Sequence, residues 1–94
     1  MPRLKIAHVY HQGQTLIIIP LESSFGGNPL PRQQEINAEL QMRASAAGLV
    51  GTVVPVWDGG QGRMAFLAPQ NWHPFFRSIN LQWVATNLNR ELSW

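Results

Sequence analysis

The chain contains no cysteine, and this absence excludes several kinds of chemistry. Without cysteine there is no disulfide framework, no thiolate nucleophile and no zinc site with cysteine ligands. His8 and His11 lie three residues apart in a predicted strand, so their side chains point to opposite faces and are poorly placed to share a metal ion. We therefore expect no metal site and no cofactor.

Charged residues are also scarce. They make up 13% of the chain, about half the usual fraction of roughly 25%, and the formal net charge is only +2. The basic residues are dispersed, and no run of them could follow a phosphate backbone. We therefore expect nucleic-acid binding, if any, to be weak and non-specific. A surface so poor in charge resists association less than an ordinary one, which favours self-association.

Long hydrophobic runs are missing as well. The longest apolar-leaning stretch, residues 44–57, contains two glycines and a proline and is shorter than the roughly 20 residues that a bilayer requires. At the N-terminus, Arg3 and Lys5 precede an interrupted apolar run instead of a targeting segment. We expect no membrane partner and a cytoplasmic location.

The apolar residues that are present predict a folded protein. Hydrophobic residues make up 45% of the 94 positions and include four tryptophans, which is enough material for one modest core. We therefore expect a single domain over residues 1–94.

Two β-hairpins are predicted. Residues 4–11 and 15–21 are rich in β-branched and aromatic side chains and flank a short connection that contains glycine. Residues 52–57 and 63–68 repeat this pattern around the glycine-rich turn 58–62.

Apolar residues at helical spacing predict two helices. The first helix follows a loop over residues 22–30 and ends at Gly48, a residue that readily adopts a left-handed conformation. The second begins at Phe75 or at Asn80, a candidate N-cap, and continues to the end of the chain. The two stripes consist of Ile36, Leu40, Ala44 and Ala47, and of Leu81, Val84, Leu88 and Leu92.

These elements predict an α+β fold in the order ββαββα. We expect a four-stranded, mainly antiparallel sheet with two helices on one face. Residues 4–48 and 52–92 can also be aligned as a weak ββα repeat. Few identities support the alignment, so a true duplication and a chance match both stay open.

The predicted strands are apolar on both faces. Residues 16–19, 53–57 and 64–67 are almost continuously apolar, whereas a strand covered on one face alternates apolar and polar residues. Two helices cover roughly one face of such a sheet. Because monomers rarely expose large apolar patches, we expect a homodimer through the open sheet face. The 22–30 loop folded across that face, or a sheet curled into a half-barrel, are the alternative covers.

Residues 23–28 connect a strand to a helix and could present backbone N–H groups to an anion. The segment matches neither a P-loop nor a GxGxxG pattern, and Pro29 and Pro31 each remove an N–H group that such a site would use. We interpret it as an ordinary connection, with a phosphate-binding loop as the alternative.

The segment 70–77 concentrates aromatic residues, a histidine and an arginine in a linker. Such residues are typical of binding surfaces. We expect Trp72 or His73 to be partly exposed and to border a concavity with Arg63 or Tyr10 nearby, which makes these four the candidate ligand-binding residues. The alternative is a hydrophobic staple that fixes how the last helix enters the core.

Three functional interpretations follow. The first is a small binding module that acts as a homodimer and binds an unidentified small ligand or protein without catalysis. The second is a nucleic-acid-binding protein that uses Arg63, Trp72 and Arg77, which a strong salt dependence of oligonucleotide binding would favour. The third is a small enzyme built around His73 and Asp58, which their convergence in one pocket would favour.

Overall fold

In the part of the chain that the structure describes, residues 3–60 and 63–93, five strands form one mixed sheet with helices on both faces. The structure is a computed structural model. The strands are β1 (Arg3–His11), β2 (Gln14–Pro20), β3 (Thr52–Asp58), β4 (Met64–Phe66) and β5 (Arg90–Ser93), and the helices are α1 (Leu30–Ala46), α2 (His73–Ser78) and α3 (Leu81–Thr86). The sheet order is β4-β3-β2-β1-β5, and only β2 and β3 are parallel neighbours. The α+β class is thus confirmed, but the sheet is mixed and has five strands where four were predicted.

The first hairpin turns at Gln12 and Gly13, between the paired residues His11 and Gln14. Both turn residues have a positive φ, 50° for Gln12 and 77° for Gly13. This is the signature of the two-residue type I′ turn, whose twist matches that of the flanking strands. The second hairpin joins β3 to β4, and the Gly60 N–H donates to Asp58 Oδ1 at 2.8 Å as the chain enters the turn. Positions 61 and 62 of the predicted 58–62 turn lie outside the described residues.

Helix α1 forms the crossover between the parallel strands β2 and β3. It begins just after Pro29, and Gly48 follows its last turn with a φ of 81°, as the sequence predicted. Leu40 and Ala44 are buried against the side chains that β2 and β3 direct to this face. The α1 face of the core contains Ile6, Ile17, Ile19, Leu40, Ala44, Val53 and Leu92.

The opposite face of the sheet is covered by the C-terminal half of the chain. A short 3-10 turn, Gln70–Trp72, leads into α2 and α3, which pack on the alternate residues of the same central strands. This second part of the core contains Ala7, Leu16, Ile18, Val54, Val56, Trp72, Phe76 and Val84. No helix within residues 3–60 and 63–93 is long and apolar enough to cross a membrane.

The prediction of two helices on one face is therefore wrong. The continuous apolar strands did indicate two buried faces, but each face is covered by a helix of the same chain. Residues 16–19 are each 0% exposed in a single copy. The described structure therefore has no open sheet face of the kind on which the predicted homodimer depended. It also does not need the 22–30 loop or a half-barrel to cover such a face.

The predicted single C-terminal helix is also wrong. Asn80 is the N-cap of α3 as expected, and its Oδ1 accepts from the Trp83 N–H at 2.8 Å. The helix ends at Thr86, however, and the chain then pairs with β1. The side-chain amide of Asn89 bonds both backbone groups of His8, at 2.8 and 3.0 Å, just before β5 begins. Strand pairing thereby replaces helical bonding at the point where the apolar spacing alone predicts more helix.

Strand β4 is short because of Pro55. Leu67 N–H donates to the Pro55 carbonyl at 3.1 Å, but proline has no N–H to return to β4, so the ladder stops there. The first half of β3 is bonded instead by a side chain of α1. Gln41 Nε2 donates to the Gly51 carbonyl at 3.0 Å, and Gln41 Oε1 accepts from the Val53 N–H at 2.9 Å.

Replacing Gln41 with methionine is expected to lower the free energy of unfolding by about 1–3 kcal/mol. Methionine keeps the length of the side chain but leaves the part-buried Val53 N–H without its acceptor. Urea denaturation of the variant measures the loss. Gln34→Met, at an exposed position of the same helix, is the matched control and should change stability little. Equal midpoints for the two variants would contradict the role given to Gln41.

Candidate functional site

The four predicted ligand-binding residues do not form one site. Tyr10 pairs with Thr15 beside the start of β3, whereas Arg63 lies in the connection that follows the end of β3. Seven residues of extended chain separate these two ends of the sheet by about 20 Å. Tyr10 and Arg63 are both exposed, but they cannot contact the same small ligand.

Trp72 and His73 lie together at the start of α2. The expectation that Trp72 or His73 is partly exposed holds for His73, which is half-buried, but not for Trp72, which is only 5% exposed and belongs to the core. His73 Nε2 is 3.1 Å from the Ala68 carbonyl, and the His73 ring meets Phe66 edge-on at a centroid distance of 5.2 Å. Strand alternation places Tyr10 on the α1 face, away from Trp72. The burial of Trp72 fits the hydrophobic staple.

The neighbourhood of Trp72 includes a residue that the sequence did not assign to this cluster. The His11 ring stacks on Phe75 with 4.4 Å between ring centroids and lies 6.0 Å from the Trp72 ring. Phe75 in turn meets Trp83 edge-on at 5.9 Å. The odd-numbered positions of β1 face α2, so strand alternation was the signal for His11. These rings contact one another and fill the space between β1 and α2.

The residues proposed for an enzyme are not in contact. Asp58 is at the end of β3, where its Oδ1 accepts from Gly60, and the His73 ring is held by Ala68 and Phe66. Within the described ranges no three histidine, aspartate or glutamate side chains come close enough to hold a metal ion.

A crevice of about 380 Å³ opens where β2 ends. The connection from β2 to α1 forms one wall, the first half of α1 forms another, and the start of β1 completes it. The lining residues are Leu4, Pro20, Leu21, Glu22, Ser24, Phe25, Asn28 and Ile36. Apolar side chains dominate this set, and the polar ones all come from the 22–28 segment.

The 22–28 segment is held in a defined shape by local bonds. A 3-10 turn, Ser23–Gly27, follows Glu22, and Asn28 Nδ2 donates to the Phe25 carbonyl at 3.2 Å. Gln33 of α1 donates to the Asn28 carbonyl at 2.9 Å. The bond to Phe25 fixes the orientation of the Asn28 amide, because only its nitrogen can donate, and so Oδ1 is left as an acceptor.

Phe25 anchors the segment to the sheet. Its ring meets Trp57 of β3 edge-on, with 4.7 Å between centroids, and both residues are buried. Gly26 lies so close to the Trp57 indole that a Cβ atom would overlap its Nε1. Glycine is therefore required for this close approach, and the wall of the crevice is tied to a central strand.

The sequence did single out this segment, but for different chemistry. The Phe25 N–H donates to the Glu22 carbonyl, and the Asn28 N–H donates to the Phe25 carbonyl. Pro29 and Pro31 have no N–H group that could bind an anion. The Glu22 carboxylate also lines the crevice, and its negative charge would repel an anion. The phosphate-binding alternative therefore has no support. A useful signal was the set of Glu22, Ser24 and Asn28 directly after an apolar strand.

Comparison of the chain with protein family models, with curated protein sequences and with solved structures finds no significant match.

Proposed function

We propose that this protein is a small binding module that holds a small molecule in the crevice at the end of β2. The observation that carries the proposal is the crevice itself. Its volume of about 380 Å³ falls in the range of roughly 300–1,000 Å³ that is typical of small-molecule sites. Apolar walls with a few polar groups at one side are the usual composition of such sites.

The position of the crevice in the fold supports the proposal. Strand β2 is parallel to β3, and the chain leaves the carboxyl end of β2 to enter the α1 crossover. Sheets with parallel strands and crossover helices commonly bind ligands outside the carboxyl ends of those strands. The connection after β2 supplies the polar groups without interrupting the sheet.

The other interpretations lack comparable support. A nucleic-acid base cannot stack on Trp72 while that side chain is 5% exposed. Asp58 and His73 are bonded to separate partners, which does not favour shared catalysis. A homodimer through the sheet face is not part of the proposal, because helices of the same chain cover both faces.

A fragment screen by two-dimensional NMR tests the proposal. Small cycloaliphatic and aromatic fragments are expected to shift the amide resonances of residues 21–28 and of Ile36. Ser24→Trp places a large side chain at the crevice and should abolish these shifts by filling the space. Ser23→Trp, one residue earlier in the same 3-10 turn and outside the lining, is the matched control and should leave them unchanged.

The folded state of both variants is checked from their dispersed amide spectra. If fragments bind Ser24→Trp as well as they bind the native chain, the crevice is not the site. Shifts confined to the residues around His11 and Phe75 would instead place binding at the aromatic cluster and overturn the proposal.

A further inference from the structure

We propose that the crevice selects a protonated amine carried on an apolar body. This inference rests on the proposed function and adds the chemical class of the ligand.

Glu22 differs from the other acidic residues of the protein. Among the described residues it is the one carboxylate with neither an ion pair nor a hydrogen bond, and it does not cap the 3-10 turn that follows it. The other four all have partners. Glu35, Glu39 and Glu91 pair with Arg32, Arg43 and Arg3, and Asp58 accepts from Gly60.

Within residues 3–60 and 63–93, no cation compensates Glu22 at the crevice. Of the described residues that line the crevice, Glu22 alone is charged. Arg3 and Lys5 flank Leu4 in sequence, but strand alternation directs them to the opposite face of the sheet, where Arg3 pairs with Glu91 at 3.7 Å. Arg32 of α1 is bonded to Glu35 at 3.1 Å. A ligand cation would therefore meet an unopposed carboxylate.

The remaining polar groups of the lining suit an ammonium group. Such a group has three N–H donors and no acceptor. The crevice offers the Glu22 carboxylate, the Asn28 Oδ1 that its bond to Phe25 leaves available, and the Ser24 hydroxyl. A carboxylate or phosphate ligand would instead face Glu22, and the described part of the lining holds no positive charge to compensate the repulsion.

The rest of the lining defines the other part of the ligand. The apolar lining comes from β1, from the connection between β2 and α1, and from α1, so it can enclose a hydrocarbon ring or chain. These residues are Leu4, Leu21, Phe25 and Ile36. A small amine with a cycloaliphatic or aromatic body satisfies both parts of the crevice. A fully polar amine would leave the apolar walls uncovered.

Three probes that share one ring test the inference. Cyclohexylmethylamine, cyclohexylmethanol and cyclohexanecarboxylate are titrated into the native chain, and dissociation constants are taken from the amide shifts of residues 21–28. The amine should bind most tightly and the carboxylate most weakly. Glu22→Gln should weaken amine binding about two- to five-fold, the range expected for an exposed ion pair, and leave the alcohol unchanged.

Glu39→Gln is the matched control, because it removes a carboxylate of α1 that does not line the crevice and leaves the Arg32–Glu35 pair intact. It should leave all three affinities unchanged. Added salt should weaken the amine and not the alcohol, since screening acts on the charge pair.

The outcomes separate this inference from the proposed function. If the alcohol or carboxylate binds as tightly as the amine, or if Glu22→Gln has no effect, the amine preference is wrong while the small-molecule site stands. The same conclusion follows if these probes fail but other fragments shift the crevice resonances. If no fragment of any class shifts them, both proposals fall.

Discussion

Replacing Trp72 with alanine is expected to lower the free energy of unfolding by about 3–5 kcal/mol. The side chain is 5% exposed and packs in the core between the sheet and α2, within 6.0 Å of the His11 ring and 6.1 Å of the Phe75 ring. Its truncation removes apolar contacts and leaves a cavity that the sheet cannot close. Urea denaturation followed by circular dichroism measures the loss.

The control for this change is Tyr10→Ala. Tyr10 is 74% exposed on the other face, so its removal should change stability by no more than about 0.5 kcal/mol. Should the Trp72 variant be as stable as the native chain, Trp72 would not be a core residue, and the aromatic cluster would regain its interest as a binding surface.

Replacing Gly51 with alanine is expected to lower the free energy of unfolding by about 2–4 kcal/mol, through backbone strain and overpacking together. Gly51 has a φ of 139°, and a Cβ atom there would lie 2.8 Å from the Thr15 carbonyl oxygen of β2. Backbone cannot move aside as the end of a flexible side chain can. The parallel pairing of β2 with β3 should therefore open at its first residues, and the urea midpoint measures this loss.

Gly48→Ala separates the two causes. Gly48 also has a positive φ, 81°, but open space surrounds the position of a Cβ atom. Only the conformational cost of about 1–2 kcal/mol is expected there. If both alanine variants lose the same stability, the contact with Thr15 is not what requires glycine at position 51.

The elements that the sequence predicted are those controlled by local interactions. The first hairpin needs only its two turn residues, and α1 needs only its apolar stripe and Gly48. The end of the chain behaved differently. Leu92 continues the spacing of Val84 and Leu88, yet it packs on the α1 face, on the other side of the sheet from Val84. Its conformation depends on pairing with β1, about ninety residues earlier, and no local pattern encodes that contact.

Apolar strands predicted that both faces of the sheet are buried, but not what buries them. The missing information was the crossover. Because β2 and β3 are parallel neighbours, α1 must pass over one face, and the C-terminal helices are left for the other. Two predicted hairpins suggest an antiparallel sheet throughout, so the sequence gives no sign that β2 and β3 are parallel neighbours.

The crevice was harder to predict than the fold. Its polar groups are neighbours in sequence, and the sequence indicated the segment that holds them as a possible anion-binding connection. Its apolar walls come from Leu4, Leu21 and Ile36, which belong to three different parts of the chain. Only tertiary packing brings them together. The concentration of aromatic residues near Trp72 was the stronger signal in the sequence, and it reflects core packing.

The bonds between Gln41 and β3 also bear on how this protein avoids aggregation. Where β4 stops, the outer edge of β3 would offer a free backbone N–H and carbonyl on which a strand of another molecule could assemble. Gln41 occupies these groups at Val53 and Gly51, and Pro55 offers no donor beside them. Gln41 and Pro55 thus prevent a strand of another molecule from pairing with this edge of β3. This matters because the chain has few charges, so electrostatic repulsion gives little protection against aggregation.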